Sequence, residues 1–376
     1  MSIINSASRV LATSAVPTVG VKTKLVRLFA GTIPYVSGQP ANPLRLPQVN
    51  YLAGIDIEIS GTMTCVGTST NTLTSEGIAA LVQSAQLNLS GKLVPVSSRG
   101  QGLKILNQVM DATGGIPEVA PVTSSASPGA ANAWSTSLKM PVSVDLWRGD
   151  LRGVQYAGDT SISQYLQIVW GTEGQAVALG ASNTATFSGA AAVYVYSIVA
   201  PRPVPATGKA PAQGLYGQAS WAHMFTEKVI SNVNVGNNDL NLDTGNEMAR
   251  VIIAVKNNGT YTTDVVSYIQ IIIQDLAYSE YWDAQSLNRR LSERYAMPFD
   301  SATGLAYLPA AAGTPEQTGI YVVDQMATHT DRDILDLRTA TSAVARVTIP
   351  SGTSLVNPEI HLYQEQLVPL TQPLFS

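Results

Sequence analysis

Residues Leu81–Gln108 read LVQSAQLNLSGKLVPVSSRGQGLKILNQ, and Val265–Arg289 read VVSYIQIIIQDLAYSEYWDAQSLNR. Each stretch holds an alternating apolar strand, a turn with a short second strand, and a segment with the apolar spacing of a helix. Leu87 and Leu89 match Ile271 and Ile273, Gln86 matches Gln270, and Gln101 and Leu103 match Gln285 and Leu287. The unit recurs about 180 residues later. Solenoid units run only ~20 to 50 residues, so a repeat of this length implies two copies of a whole domain.

Other landmarks repeat in the same order. MPVSVDLW from Met140 answers IYVVDQM from Ile320, and VYVYSIVAP from Val193 answers EIHLYQEQLVP from Glu359. The offset shrinks along the chain, as it does when the loops of duplicated domains drift in length. Between the copies lies APRPVPATGKAPAQG, Ala200 to Gly214, rich in Pro and without apolar periodicity, which reads as a semi-extended spacer. The expected organisation is an N-terminal arm (1–22), a first sandwich (23–200), a Pro-rich linker (201–214) and a second sandwich (215–376).

Within the copies the pattern is that of half-buried strands. Ile55, Ile57 and Ile59 alternate with Asp56, Glu58 and Ser60; Met140, Val142, Val144 and Leu146 repeat the period, as do Leu166 and Ile168. The second copy offers Val229–Val235, Ala249–Val255, Val344–Ile349 and Ile360–Leu367. About eight candidate strands per half predict an all-β chain of two tandem eight-stranded jelly-roll sandwiches. One short helix is expected in each: Leu103, Leu106, Val109 and Met110 form one stripe, stopped by Gly114 and Gly115, and Leu287, Leu291 and Tyr295 form the other, stopped before Pro298. Gly114–Ser137 and Ser301–Thr318 are read as long connections of the kind that contact other molecules.

Composition narrows the function. Only 13% of residues are charged, against about 25% in ordinary soluble domains, which suits walls covered by neighbours. A net charge of -4 leaves no basic footprint for gripping phosphates, so sequence-specific nucleic acid binding is not expected. The single cysteine, Cys65, rules out an intramolecular disulfide. MSIINSASRV has no basic n-region, and Asn5 and Arg9 interrupt any apolar stretch, so no secretory signal is expected. The apolar run Ala190–Ala200 is too short to span a membrane. A soluble chain made in a cytoplasm is the expectation.

No catalytic constellation emerges. His223, His329 and His361 are the only histidines, and His223 and His361 sit in apolar, strand-like surroundings where a structural role is the simpler reading. No G-x-S-x-G elbow, phosphate-binding loop or dinucleotide fingerprint is present. Two polar clusters are weak metal candidates, and no metal or other cofactor is assigned. THTDRD carries His329, Asp331 and Asp333 at a spacing that matches no specific site. NNDLNLDTG sets Asp239, Asn241 and Asp243 at alternate positions like a calcium loop, but Thr244 displaces Gly245 from the turn position and no Glu closes the loop. The same residues also read as a strand edge.

Two tandem sandwiches, each with a helix after an early strand pair, a Pro-rich linker and a leading arm, resemble the double jelly-roll major capsid proteins of tectiviruses, corticoviruses, related internal-membrane bacteriophages and adenoviruses. TLTSEGIAALVQSAQLNLSG in the first half and HLYQEQLVPL in the second are the most suggestive stretches. The resemblance implies a structural protein of the virion, not an enzyme. It implies a homotrimer whose six jelly rolls form a pseudo-hexagonal capsomer, assembling with neighbouring capsomers, vertex (penton) and minor capsid proteins into an icosahedral shell, commonly over an internal lipid membrane. On the arm, Ile3, Ile4, Ala7, Val10 and Leu11 share one helical face, which suits contact with that membrane or with a neighbouring subunit. The competing readings are a two-domain jelly-roll amidase acting on glycans, which calls for paired carboxylates in a cleft and an export signal, and a lectin-like adhesin. A tailed-phage shell fold would need a long spine helix.

Overall fold

The computed structural model describes residues 24–67, 71–89, 93–110, 131–146, 150–158, 163–208, 214–273, 278–308, 316–325 and 334–370. Alternating β-branched and apolar residues build eight principal strands in the first half: β1 (Lys24–Pro34), β2 (Leu44–Arg45), β3 (Tyr51–Val66), β4 (Val82–Leu89), β5 (Leu93–Ser98), β6 (Ala131–Pro141), β7 (Gln164–Trp170) and β8 (Thr184–Val199). Eight follow in the second: β9 (Trp221–Ile230), β10 (Gly236–Asn241), β11 (Glu247–Asn257), β12 (Tyr268–Ile273), β13 (Tyr278–Asp283), β14 (Ile320–Asp324), β15 (Ala343–Ile349) and β16 (Glu359–Pro369).

The first set pairs in the orders β1-β8-β3-β6 and β2-β7-β4-β5, and the second in the orders β9-β16-β11-β14 and β10-β15-β12-β13. Adding eight to every label turns one half into the other. Each order is that of a jelly roll, with two sheets facing across a core. Register agrees as well: Gln86 lies opposite Ser97 and Leu87 opposite Val96, while Gln270 lies opposite Tyr281 and Ile271 opposite Glu280. Gln86 Nε2 donates to Ser97 Oγ, and Gln270 Nε2 donates to Ser279 Oγ, so the two hairpins carry related cross-strand bonds.

Each hairpin leads into a helix, α1 (Gly100–Met110) or α2 (Ala284–Tyr295). Asp283 caps α2 by accepting from Ser286 N at 2.8 Å, and Ala296 ends it in a left-handed conformation before Pro298. Ile55, Ile57, Ile59, Leu87, Leu103, Leu106, Leu166 and Ile168 meet in the first core; Val251, Ile253, Val255, Ile271, Leu287 and Val347 meet in the second.

The halves are fused, not merely tethered. β9 runs parallel to β5, with Phe225 opposite Val96 and Thr226 opposite Ser97, so one sheet of each sandwich joins the other as a single ten-stranded sheet. As a result β11 and β16 each bury eight consecutive residues, 248–255 and 360–367, because one face looks into the second core and the other meets the first half. Phe225, Ile252, Ala254 and Tyr363 belong to the first half's core cluster.

Three sequence expectations are corrected locally. The strand read through Leu146 stops at Pro141; Val142 to Leu146 are all buried without alternation, and Val144 packs with Ala249 and Leu367 of the second half. The connection read from Gly114 to Ser137 gives way to β6 at Ala131, because Trp134, Thr136 and Leu138 face inward at period two. The strand read over Val229–Val235 is interrupted after Ile230, and β10 begins at Gly236 with positive φ.

Candidate functional site

The surface with the densest chemistry is the outward face of β9, β11 and β16, where the second sandwich meets the first. Strand alternation places His223, Phe225 and Glu227 on this face of β9, Arg250, Ile252 and Ala254 on β11, and His361, Tyr363 and Glu365 on β16. In an isolated sandwich that face would be solvated; here it is covered, so every polar group on it needs a partner within the chain.

Two charge networks supply those partners. Glu365 accepts from Arg250 Nη1 at 2.8 Å and contacts His223 Nε2 at 2.9 Å; Arg250 Nε lies 3.4 Å from Asp324, whose other oxygen accepts from the Tyr295 hydroxyl at 2.6 Å. Burial works against the charge on Glu365, but Arg250 and His223 outweigh it and hold the carboxyl below the ordinary range. Burial and the neighbouring Asp324 both push the Tyr295 phenol up. In the second network Glu227 accepts from Ser98 Oγ at 2.9 Å and Arg99 N at 2.7 Å, both first-half groups, and meets His361 Nδ1 at 3.1 Å; His361 Nε2 faces Glu359 at 3.3 Å. Burial disfavours the imidazolium, yet the hydrogen bonds to Glu227 and Glu359 raise the His361 pKa.

Neutral bonds reinforce the seam. Gln101 Nε2 donates to Gln317 Oε1 at 2.6 Å, Gln317 donates to the Ser75 carbonyl, and Gln155 Nε2 donates to the Trp221 carbonyl at 2.8 Å. Asn288 on α2 donates to the carbonyls of Ala306, Thr318 and Ile320 and accepts from Ala306 N. That one side chain pins the 300s segment on which Gln317 sits.

Several strands have a neighbour on one side only among the described residues, and two of these edges, β1 and β13, carry exposed apolar or aromatic side chains. β1 has β8 on one side and, among the described residues, no strand on the other. Its Leu28 and Phe29 are 39% and 59% exposed. Arg27 on β1 pairs with Asp56 at 2.7 Å and Glu58 at 2.5 Å and lies 3.6 Å over the Tyr194 ring. β13 likewise has only β12 beside it among the described residues, and its Tyr281, 58% exposed, stacks on Tyr268 at 4.8 Å.

The candidate metal residues do not converge. Asp239 holds Arg346 through both oxygens, at 2.6 and 2.8 Å, and Asp243 accepts from Lys228 at 2.6 Å, while the Asn241 carbonyl accepts from Lys228. Among the described residues no group of three His, Cys, Asp or Glu side chains could hold a metal ion. His329, Asp331 and Asp333, and the arm residues Ile3, Ile4, Ala7, Val10 and Leu11, lie outside the described residues. His223 and His361 are buried in the seam, each against a carboxylate. Sequence reasoning missed Arg250, Glu365 and Glu227, although charged residues interrupting apolar runs on both β11 and β16 were the available signal.

No known protein family matches the sequence, and no curated protein matches it. Solved structures do. The chain is similar to the MCP of STIV, the Sulfolobus Turreted Icosahedral Virus, with a TM-score of 0.62 and 16% identity over 95% of this chain and 99% of that one. It is similar to the PBCV-1 virus capsid chain, with a TM-score of 0.55 and 10% identity over 95% and 96%. The major capsid protein P2 from Bacteriophage PM2 matches with a TM-score of 0.50 and 11% identity over 93% and 100%. The chain therefore has the double jelly-roll fold of viral major capsid proteins.

Proposed function

We propose that this chain is a major capsid protein: a structural component of a virion that trimerises into pseudo-hexagonal capsomers and assembles, with neighbouring capsomers and with vertex and minor proteins, into an icosahedral shell. The observation that carries the reading is that the duplicated sandwiches occupy the whole described chain and are fused by one continuous sheet. A rigid pair of similar blocks lets three identical chains present six similar corners. The low charge suits walls that neighbours cover.

In this reading residues 1–22 form an inner arm, 23–200 and 215–376 the two jelly rolls and 201–214 the linker. The apolar face of Ile3, Ile4, Ala7, Val10 and Leu11 contacts either an internal membrane or the underside of a neighbouring subunit; deletion of Ser2–Val16 with unchanged assembly and lipid content removes that assignment. Light scattering on the purified chain tests the reading as a whole: a stable species of three chains is expected, and a single chain at every concentration rejects it.

A further inference from the structure

We infer that the exposed edge of β13 pairs in parallel with the exposed edge of β1 of a second copy of this chain, repeating between chains the β5–β9 junction that joins the halves within one. This rests on the trimer reading above and names the residues that close the ring.

The internal junction supplies the template. β5 of the first half meets β9 of the second, with Val96 opposite Phe225 and Ser97 opposite Thr226. Label for label, β5 corresponds to β13 and β9 to β1. Those are two edges that find no strand partner among the described residues. An unpaired edge presents a row of unmet N–H and C=O groups, which a stable surface either blocks or pairs.

The register can be carried over residue by residue. The shared hairpin register makes Glu280 and Tyr281 the counterparts of Val96 and Ser97. In the second sandwich Thr226 lies opposite Gln364, which lies opposite the core residue Val251. In the first, Leu28 lies opposite Val195, which lies opposite Ile55. Ile55, Ile57 and Ile59 fill the first core as Val251, Ile253 and Val255 fill the second, so Leu28 stands for Thr226 and Arg27 for Phe225. The inferred junction therefore sets Tyr281 opposite Leu28, two exposed apolar side chains, and Glu280 opposite Arg27, two opposite charges.

The space around the edge agrees. Inside the chain, Phe225 of β9 is buried in the first core beside Val96. Beside Glu280 there is instead a cavity of about 150 Å³, lined among others by Trp282, Leu291, Arg294, Tyr295 and Asp324. By the register above, the counterpart of Phe225 that would approach it is Arg27, whose charge would meet Glu280 and Asp324 as well as Arg290 and Arg294 on its wall. The two edges carry opposite charges: β13 has Glu280 and Asp283, and β1 has Lys24 and Arg27. At the internal junction an ion pair of the reverse polarity, Arg99 after β5 with Glu227 on β9, crosses nearby, at positions that correspond to Asp283 and Phe29.

The test is cross-linking of the full chain carrying Leu28→Cys and Tyr281→Cys, treated with a short bis-maleimide; Cys65 is buried and gives little background. The expected result is loss of the single-chain band into two- and three-chain bands, absent from either single variant and from a control pair of Leu28→Cys with Asn237→Cys on the opposite edge. In the unmodified protein, amides of Tyr278–Asp283 and Lys24–Pro34 should gain exchange protection when three chains associate. Three-chain particles by light scattering without these links and without that protection overturn the junction and leave the capsomer reading standing. Protection without interchain links, as a chain's own N-terminal arm would give, also overturns it. A single-chain species throughout overturns both.

Discussion

Arg250 donates to Glu365 at 2.8 Å with both side chains withdrawn from solvent, on strands that neither sandwich alone would bury on both faces. The pair, with His223, Asp324 and Tyr295, exists because the first half covers the outer sheet of the second. Removing one partner leaves a buried charge uncompensated. Glu365→Ala is expected to lower unfolding free energy by about 3 to 5 kcal/mol, whereas replacing Arg250 and Glu365 together with Met and Leu should cost far less. Denaturant midpoints of the single and double variants decide it.

The second network makes the seam pH-dependent. His361 has its pKa raised above the ordinary 6.5, so its contribution is fully present below that value and is lost as pH rises through the higher folded-state value. Glu227, though burial opposes it, is held below its ordinary 4.5 by His361 and Arg99 N, so its contribution is present above 4.5 and fades as pH falls through the depressed value. The stability gap between the native chain and His361→Gln should be widest in the weakly acidic range between those limits and shrink in alkaline buffer. A gap that grows with pH would reject the assignment.

Gly102 in α1 should resist a substitution that a helix ordinarily welcomes. Replacing a helical Gly with Ala gains roughly 0.5 to 1 kcal/mol in an open setting. Here a Cβ would collide with Ser98 Oγ and the Tyr363 ring, where the helix lies against the second sandwich. Gly102→Ala is expected to destabilise by about 1 to 3 kcal/mol, read as a drop in thermal midpoint.

Chelators should leave the chain's melting temperature unchanged. Asp239 and Asp243 already hold Arg346 and Lys228, so a cation would have to displace both. A clear fall on adding EDTA would restore a calcium reading for the NNDLNLDTG stretch.

The sandwiches were legible because their cores are written at period two: Ile55, Ile57 and Ile59, and the hairpin repeat around Gln86 and Gln270, identify strands that local alternation alone specifies. Both helices followed from their stripes and from Pro298. The seam was not legible. Whether Val142 to Leu146 continue a strand or turn into a covered corner depends on the distant Ala249 and Leu367, and the pairing of β5 with β9 joins residues that no local pattern connects. The Asp239 cluster shows the converse: its spacing suggested a loop for a cation, but Lys228 reaches Asp243 from the preceding strand β9, and Arg346 reaches Asp239 from β15, 107 residues along the chain.

Electron-microscope class averages of the purified, unmodified protein bear most directly on the claim that duplicated sandwiches mimic sixfold geometry. The account predicts compact tiles with six lobes of similar size around one centre. Averages showing only isolated two-lobed particles, or rings with another number of lobes, would contradict it.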